Sequence, residues 1–429
     1  MNYSAWLRPA LFFIASAFTC HATEPAVAEP PTSWIDADTG HRIIRLTSEP
    51  NSASLYFNEN SYTPDGRQMI YTTPDGISVL DLATLKTRSV VEGHVRTIVV
   101  GHKTPTIFYL KSVSLDKPDE RALYSTHIDT GETHKLADLP RRGSIATINA
   151  DETLAAGTYI EGEDGLDYGE HPAEVPASQG HAIEQPKNKG QMMEERLAAR
   201  LPLVLFTVDL RTGKMNTLLH STDWVNHLEF SPTEPTLLMY CHEGPWQKVD
   251  RIWTIRTDGS RNTLVHQRTM GREIAGHEFW GHDGQTIWYD LQTPRGEVFW
   301  VAGLNLETGE RIWFNLQRNE WSIHFNISPD GKLFCGDGGD SGQVAKAPDG
   351  RWIYLFRPER INDSDTLGNK LIHPGVFRAE RLVNMTKHNY KLEPNVSFSP
   401  DQKYVIFRSN MFGPTYVFAV EVTPSTTAK

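Results

Sequence analysis

Cysteine is scarce: there are three in 429 residues, and one of them, Cys20, lies at the end of an N-terminal apolar run. This excludes a disulfide scaffold and leaves Cys241 and Cys335 as a pair whose spacing permits a bridge without demanding one. Positive charge is short as well. Lys and Arg number 42 against 53 Asp and Glu, a net charge of −11 with the acids spread along the chain. A nucleic-acid partner would call for a basic stripe, and none is present. An acidic sugar stays admissible, because Arg and His gathered in one pocket act locally even on an acidic protein. Beyond Ala10–Thr19 no apolar run approaches the length of a membrane span, so the mature chain is expected to have no membrane insertion. Helix-period patterns are also rare, whereas 26 prolines and 32 glycines punctuate the chain. That composition favours many short strands joined by turns.

The apolar run itself, with Arg8 before it and Cys20-His21-Ala22 after it, reads as a secretory signal over residues 1–22. It places the protein in the periplasm or outside the cell. Phe18 fits poorly ahead of Cys20 for lipid attachment, so a lipoprotein is not expected.

What the chain does have is an internal repeat. Complete or degraded copies of a Ser/Thr-Pro-Asp-Gly turn stand at Thr63-Pro-Asp-Gly66, Asn149-Ala-Asp-Glu152, Ser231-Pro-Thr-Glu234, Gly281-His-Asp-Gly284, Ser328-Pro-Asp-Gly331 and Ser399-Pro-Asp-Gln402, with a faint copy near Gly101–Thr106. Proline presets φ and Asp-Gly permits the reversal, so each copy predicts a β-hairpin. A second turn alternates with the first, at Asp129-Thr-Gly131, Asp209–Gly213, Asp258-Gly259 and Glu307-Thr-Gly309. Four strands per unit, recurring at roughly 40–50 residues, is the pattern of propeller blades. The expectation is an all-β fold: one seven-bladed β-propeller of four-stranded antiparallel blades over residues 41–425. A linker at 23–40 would precede it, and insertions would fill about 163–198 and 343–386.

The repeat aligns the innermost strands. Counting back four residues from each turn gives Glu59, His227, His277, His324 and Asn395. A lone histidine is more often a satisfied structural residue than a ligand. Three at equivalent positions lining one channel point to a site. His227, and Asn60 beside Glu59, are expected along the substrate path. The strand Leu237–His242 should end on the same face, bringing His242, with Arg251 opening the next strand. Arg408 occupies the corresponding strand end in the last unit.

Two segments carry a resemblance. Tyr240-Cys-His-Glu-Gly-Pro-Trp246 with Asp250-Arg-Ile-Trp253 and Gly276-His-Glu-Phe279, and Trp321-Ser-Ile-His-Phe-Asn-Ile-Ser-Pro-Asp-Gly331 running into Gly336-Asp-Gly338, resemble the oligogalacturonate lyases. The resemblance implies a seven-bladed propeller that cleaves short uronic-acid oligomers by β-elimination with a divalent metal, typically manganese. It implies that His242 abstracts the proton and that His324 binds the metal. In the last unit the family has His-Pro-His with an upstream Gln, whereas this chain reads Tyr390-Lys-Leu-Glu-Pro-Asn395. Glu393 and Asn395 thus stand where the histidines would, making the ligand set richer in oxygen and suited to a hard cation such as Mn²⁺, Ca²⁺ or Mg²⁺. Arg251 beside the base, and Arg200 and Arg408, would take substrate carboxylates by bidentate contacts. His277 would bind substrate or join the metal shell. Two other readings stay open: a lyase for a different uronide, motivated by the altered Glu393-Pro394-Asn395 segment, and a non-catalytic sugar-binding propeller. A hydrolase finds no convincing pair of carboxylates.

Overall fold

A computed structural model describes residues 29–114, 117–162, 189–343, 346–362 and 371–424. The chain divides into a short unit, Met1–Pro31, and a body, Thr32–Lys429, which holds every described strand. The expected signal over 1–22 lies outside the described residues.

The body is built from strands, arranged among the described residues in six sheets. In chain order a three-stranded sheet (Gln68–Thr73, Gly76–Asp81, Thr87–Glu92) is followed by three antiparallel four-stranded ones. These begin at Arg96–Val100, Ser144–Ile148 and Trp224–Phe230. An eight-stranded sheet comes next. It consists of two antiparallel four-stranded halves, Ile274–Asn315 and Phe325–Asn384, joined where Arg311–Asn315 pairs in parallel with Ile372–Asn384. The last sheet has five strands and joins the two ends of the body. Arg42–Arg45 pairs with Tyr416–Glu421, flanked by Ser33–Ile35 on one side and by Tyr404–Ser409 and Ser397–Phe398 on the other.

The turns form as their residues dictate. In Ser328–Gly331 the glycine N–H donates to Ser328 O at 2.8 Å, and the Ser328 hydroxyl donates to Asp330 Oδ1 at 2.8 Å. Gly331 takes φ 72°, the left-handed conformation that glycine adopts without a Cβ penalty. Two degraded copies keep that backbone, with Glu152 at φ 59° and Gln402 at φ 61°; in Ser231–Glu234 the Glu234 N–H turns to the Ser231 hydroxyl instead, at 3.0 Å. Apolar side chains then pack sheet on sheet. One cluster joins Phe108 and Leu123 to Ala155 and Phe206; others continue stepwise to Phe356 and Phe377 and on to Val405 and Phe418. A further cluster packs Ile406 and Val417 of the last sheet on Met69, Tyr71 and Leu80 of the first. Burial of these faces is the main stabilising term, as in any packed pair of sheets.

Two expectations are corrected by these strands. Residues 343–386 are not an insertion: Trp352–Arg360 and Ile372–Asn384 are the outer strands of a sheet, paired to one another along nearly their whole length. Their far halves are exposed and rich in charge, with Arg357 and Arg378 paired to Glu380 and Glu359, which hides the strand pattern. Residues 23–40 are not simply a linker either. Ser33–Ile35 forms a hairpin with Arg42–Arg45. Its turn is closed by Asp36 Oδ1 accepting from Asp38 and Thr39 N–H, with Gly40 at φ 76°. Asp36-Ala-Asp-Thr-Gly40 is one more copy of the second turn. Within 163–198 the described part is a helix, Lys189–Ala199. Cys241 and Cys335 are free and buried.

Candidate active site

The innermost strands carry a shared irregularity that aims polar side chains. His227 and His277 both have φ 46°, and Asn395 has φ 53°. Pairing with the adjacent strand slips between Asn226 and Glu229 and between Gly276 and Phe279, so each histidine sits on a β-bulge. A left-handed non-glycine residue is uncommon, and bulges re-aim side chains beside sites. The positions counted from the turns are therefore structurally equivalent in these three units.

Each aimed residue has a partner on the next strand, thirteen positions on in three units. His277 Nδ1 meets Asp290 Oδ1 at 2.8 Å, and His324 Nδ1 meets Asp337 Oδ2 at 2.8 Å. In the last unit the pair is Asn395 and Arg408. With its carbonyl turned inward, the Asn395 amide accepts from Arg408 Nη2 at 2.5 Å and Nε at 3.2 Å. Where the inner residue is an imidazole the partner is a carboxylate; where it is a carboxamide the partner is a guanidinium.

His277 and His324 are brought together, their rings edge to face at 5.0 Å. His324 is fully buried, stacked on Phe57 at 4.7 Å, and Asp337 also accepts its backbone N–H at 2.8 Å. The carboxylate at Nδ1 places the ring proton there and leaves the Nε2 lone pair outward. That nitrogen accepts the Tyr56 hydroxyl at 3.1 Å, and Glu393 Oε2 lies 3.7 Å away. Burial, then the Glu393 charge, push the Tyr56 phenol well up, so it remains a donor. His277 differs: burial pulls its imidazole down, but Asp290 outweighs this and holds it above the usual value.

As holders of a cation, His324 Nε2, which a bound ion would take from the Tyr56 hydroxyl, and the half-exposed Glu393 carboxylate form a mixed nitrogen–oxygen pair that fits a borderline or hard divalent ion. Asp337 supplies the outer-shell carboxylate that metal-binding histidines commonly have. Asn395, expected as a third ligand, instead gives its carbonyl to Arg408, whose Nε also donates to Glu393 O at 2.8 Å. Arg408 is thereby engaged with its own neighbours. His388, close in sequence, has both ring nitrogens occupied, by Ser409 Oγ at 2.9 Å and Leu392 O at 2.7 Å.

Arg251 is also not a free guanidinium. It is buried, donating from Nη1 to Glu243 at 2.8 Å and from Nε to Glu278 at 3.0 Å. Burial alone would raise both carboxyls. The guanidinium overrides it and leaves Glu243 well below, and Glu278 below, the ordinary value. His227 Nε2 lies 3.3 Å from Glu243, so it belongs to the same network. His227, Cys241 and Glu243 gather their polar atoms within 4.8 Å. However, Arg251 already neutralises Glu243 and burial pushes the Cys241 thiol up, so this is an ion-pair core rather than a cation site. Beside this network, burial and then Glu278 push Glu229 well above the carboxylate range, and Asn58 donates to it at 3.1 Å. Asn60 serves the backbone: its amide bonds Val100 O at 2.9 Å and Tyr62 O at 3.2 Å.

His242 lies near the end of the strand Leu237–Glu243, as expected, against the rings of Tyr240 and Trp253. Its Nδ1 is 3.1 Å from Asp223 Oδ2, and Arg200 binds the other oxygen of the same carboxylate. Two nearby tryptophans pack under guanidinium groups: Arg196 lies 4.0 Å over Trp224 and Arg318 4.6 Å over Trp321. The sequence pattern did not disclose the carboxylates Asp223, Asp290, Asp337, Glu243 and Glu278, nor Tyr56. The constant offset of thirteen from the inner residue would have found Asp290 and Asp337.

Comparisons with known proteins agree with this architecture. The oligogalacturonate lyase family model matches residues 185–426. An oligogalacturonate lyase of Dickeya dadantii is 24% identical over 411 residues, 92% of this chain and 96% of the relative. An oligogalacturonide lyase of Pectobacterium atrosepticum is 24% identical over 417 residues, again 92% and 96%. The solved structure of an oligogalacturonate lyase in complex with manganese superimposes with a TM-score of 0.70 at 22% identity, covering 91% of this chain and 96% of that one. One from Vibrio parahaemolyticus gives 0.69 at 21%, with the same coverage. The fold is thus all-β and propeller-like, and the chain belongs to the oligogalacturonate lyase family.

Proposed function

We propose that the protein cleaves 4-linked oligogalacturonate by β-elimination, with His242 as the base. The observation that carries this is an imidazole in the matched family segment whose Nδ1 is taken by Asp223, which leaves Nε2 to accept a proton. Elimination removes the C5 proton beside the C6 carboxylate. The C5–H electron pair becomes the C4–C5 double bond, the C4–O bond breaks, and the departing oxygen takes a proton from solvent. The product is a 4,5-unsaturated uronide. The difficulty is the second negative charge that builds next to the carboxylate as C5 is deprotonated. A divalent cation, Mn²⁺ on the strength of the relative that carries it, supplies charge neutralisation there when bound. His324 and Glu393 would hold it. His277, which Asp290 holds above its usual value against burial, packs beside His324 on the same side of the site.

The body is read as one ring of seven blades, counting the eight-stranded sheet as two. The apolar clusters that step from each unit to the next, and from the last to the first, support this. Export to the periplasm or beyond follows from the signal at 1–22, and N-terminal sequencing of mature protein checks it. Ultraviolet absorbance of the conjugated product, with oligogalacturonate as substrate, tests the activity. Turnover should fall on chelation and return with Mn²⁺; absence of product with every uronide under both conditions would sink the lyase reading. Turnover of another uronide alone would favour a lyase for that uronide, the reading that the altered Glu393-Pro394-Asn395 segment and its Asn395–Arg408 pair motivate. Asp337→Asn, which loosens the His324 ring, should raise the Mn²⁺ concentration for half-maximal activity about 10–100-fold. An unchanged activation curve would separate His324 from the cation.

A further inference from the structure

We infer that Asp223 positions the His242 base and that Arg200 dictates which atom Asp223 offers it. This inference rests on the proposed reading of His242. Asp223 immediately precedes the strand Trp224–Phe230, whose Trp224 and Val225 pair with Glu243 and His242, so the backbone register sets it diagonally beside the imidazole. Its N–H donates to Ser221 Oγ at 3.0 Å, fixing the approach. One carboxylate oxygen meets His242 Nδ1 at 3.1 Å and the other meets Arg200 Nη1. Arg200 is held there by the helix Lys189–Ala199, which it ends in a left-handed conformation, φ 47°. Arg196 of that helix stacks on Trp224 at 4.0 Å, and Glu194 pairs with Lys248, beyond His242, at 2.6 Å. The helix is therefore fastened on both sides of the base.

The chemistry follows from the donor inventory. A carboxylate only accepts, so the neutral imidazole carries its proton on Nδ1 and its lone pair on Nε2. An asparagine at 223 would have one acceptor and one donor. Arg200 has donors only and claims the acceptor; the amide nitrogen then turns to His242. Nδ1 becomes the acceptor, the proton moves to Nε2, and the base is blocked.

The test is a pair of variants. Asp223→Asn, nearly isosteric, should keep the melting temperature and KM while kcat falls at least about 100-fold, in line with loss of the orienting carboxylate in other histidine-based sites. In Asp223→Asn/Arg200→Leu the amide is free to turn its oxygen to His242, so kcat should rise about tenfold or more above the single variant, even where KM suffers. A single variant within about threefold of wild-type kcat overturns the role of Asp223, and a double variant no faster than the single overturns that of Arg200. Nitrogen NMR of labelled histidine reads the His242 tautomer without turnover. It should report the Nδ1-protonated form in the wild type and the Nε2-protonated form in Asp223→Asn; the same tautomer in both overturns the inference. Were wild type to make no unsaturated product, the proposed function would fail while this readout still judged Asp223.

Discussion

Exchanging Arg251 for methionine should destabilise the fold by about 3–5 kcal/mol, because it strands two buried carboxylates that the guanidinium now neutralises. Glu243 is 5% exposed and Glu278 2% exposed, so water cannot take over the role of the lost partner. The sign of the pH dependence follows from the depressed carboxyls. Their contribution to wild-type stability is fully present above the unfolded glutamate value of about 4.3 and is lost as pH falls through the lower folded values. The penalty of the substitution should therefore shrink on acidification, since protonation relieves the stranded charges in the variant and weakens the pair in the wild type. Urea titrations at neutral and acid pH measure both, read as a shift in midpoint at constant slope. A loss below about 1 kcal/mol at neutral pH would mean that the triad behaves like a surface pair.

Removing the His242 imidazole should act on turnover rather than on the fold. In His242→Ala kcat is expected to fall about 10²–10⁴-fold, the usual worth of a positioned proton acceptor. KM should change little, because the ring is placed by Asp223 and two aromatic neighbours for proton transfer rather than for gripping a substrate carboxylate. Added imidazole, small enough to enter the space left by the side chain, should return part of the rate. Steady-state kinetics with and without imidazole decide the matter, and a loss smaller than about tenfold would move the base elsewhere.

The sheets and the aimed residues were legible because hairpin turns have a local cause. Pro, Asp and Gly at set positions announce the reversal whatever packs around it, and counting back from them located His227, His277 and Asn395 on one kinked level. His242 was legible from strand direction. The partners were not, because each lies on or beside a neighbouring strand and is defined by register rather than by turn chemistry. Once Gly276 pairs with Asp290 across the bulge, His277 must find that carboxylate. Arg251 shows the converse failure. Its place at a strand start was foreseen, but a sequence does not display that Glu243 and Glu278 converge on it, so a group expected to greet substrate is already engaged. The outer strands Trp352–Arg360 and Ile372–Asn384 went unread because their distal halves are charged and solvent-facing, which masks the two-residue alternation.

The pairing of Arg42–Arg45 with Tyr416–Glu421 has a bearing on biosynthesis. Tyr56, which bonds His324, is made early, while Glu393 and Arg408 are made much later. Until Tyr416–Glu421 has emerged, the hairpin of Ser33–Ile35 and Arg42–Arg45 lacks the strand it docks on, and until Glu393 has emerged His324 lacks its neighbouring carboxylate. A polypeptide stopped before Glu393 lacks both that carboxylate beside His324 and the strand on which Arg42–Arg45 docks, so closure by distant strands delays completion of the site until both have been synthesised.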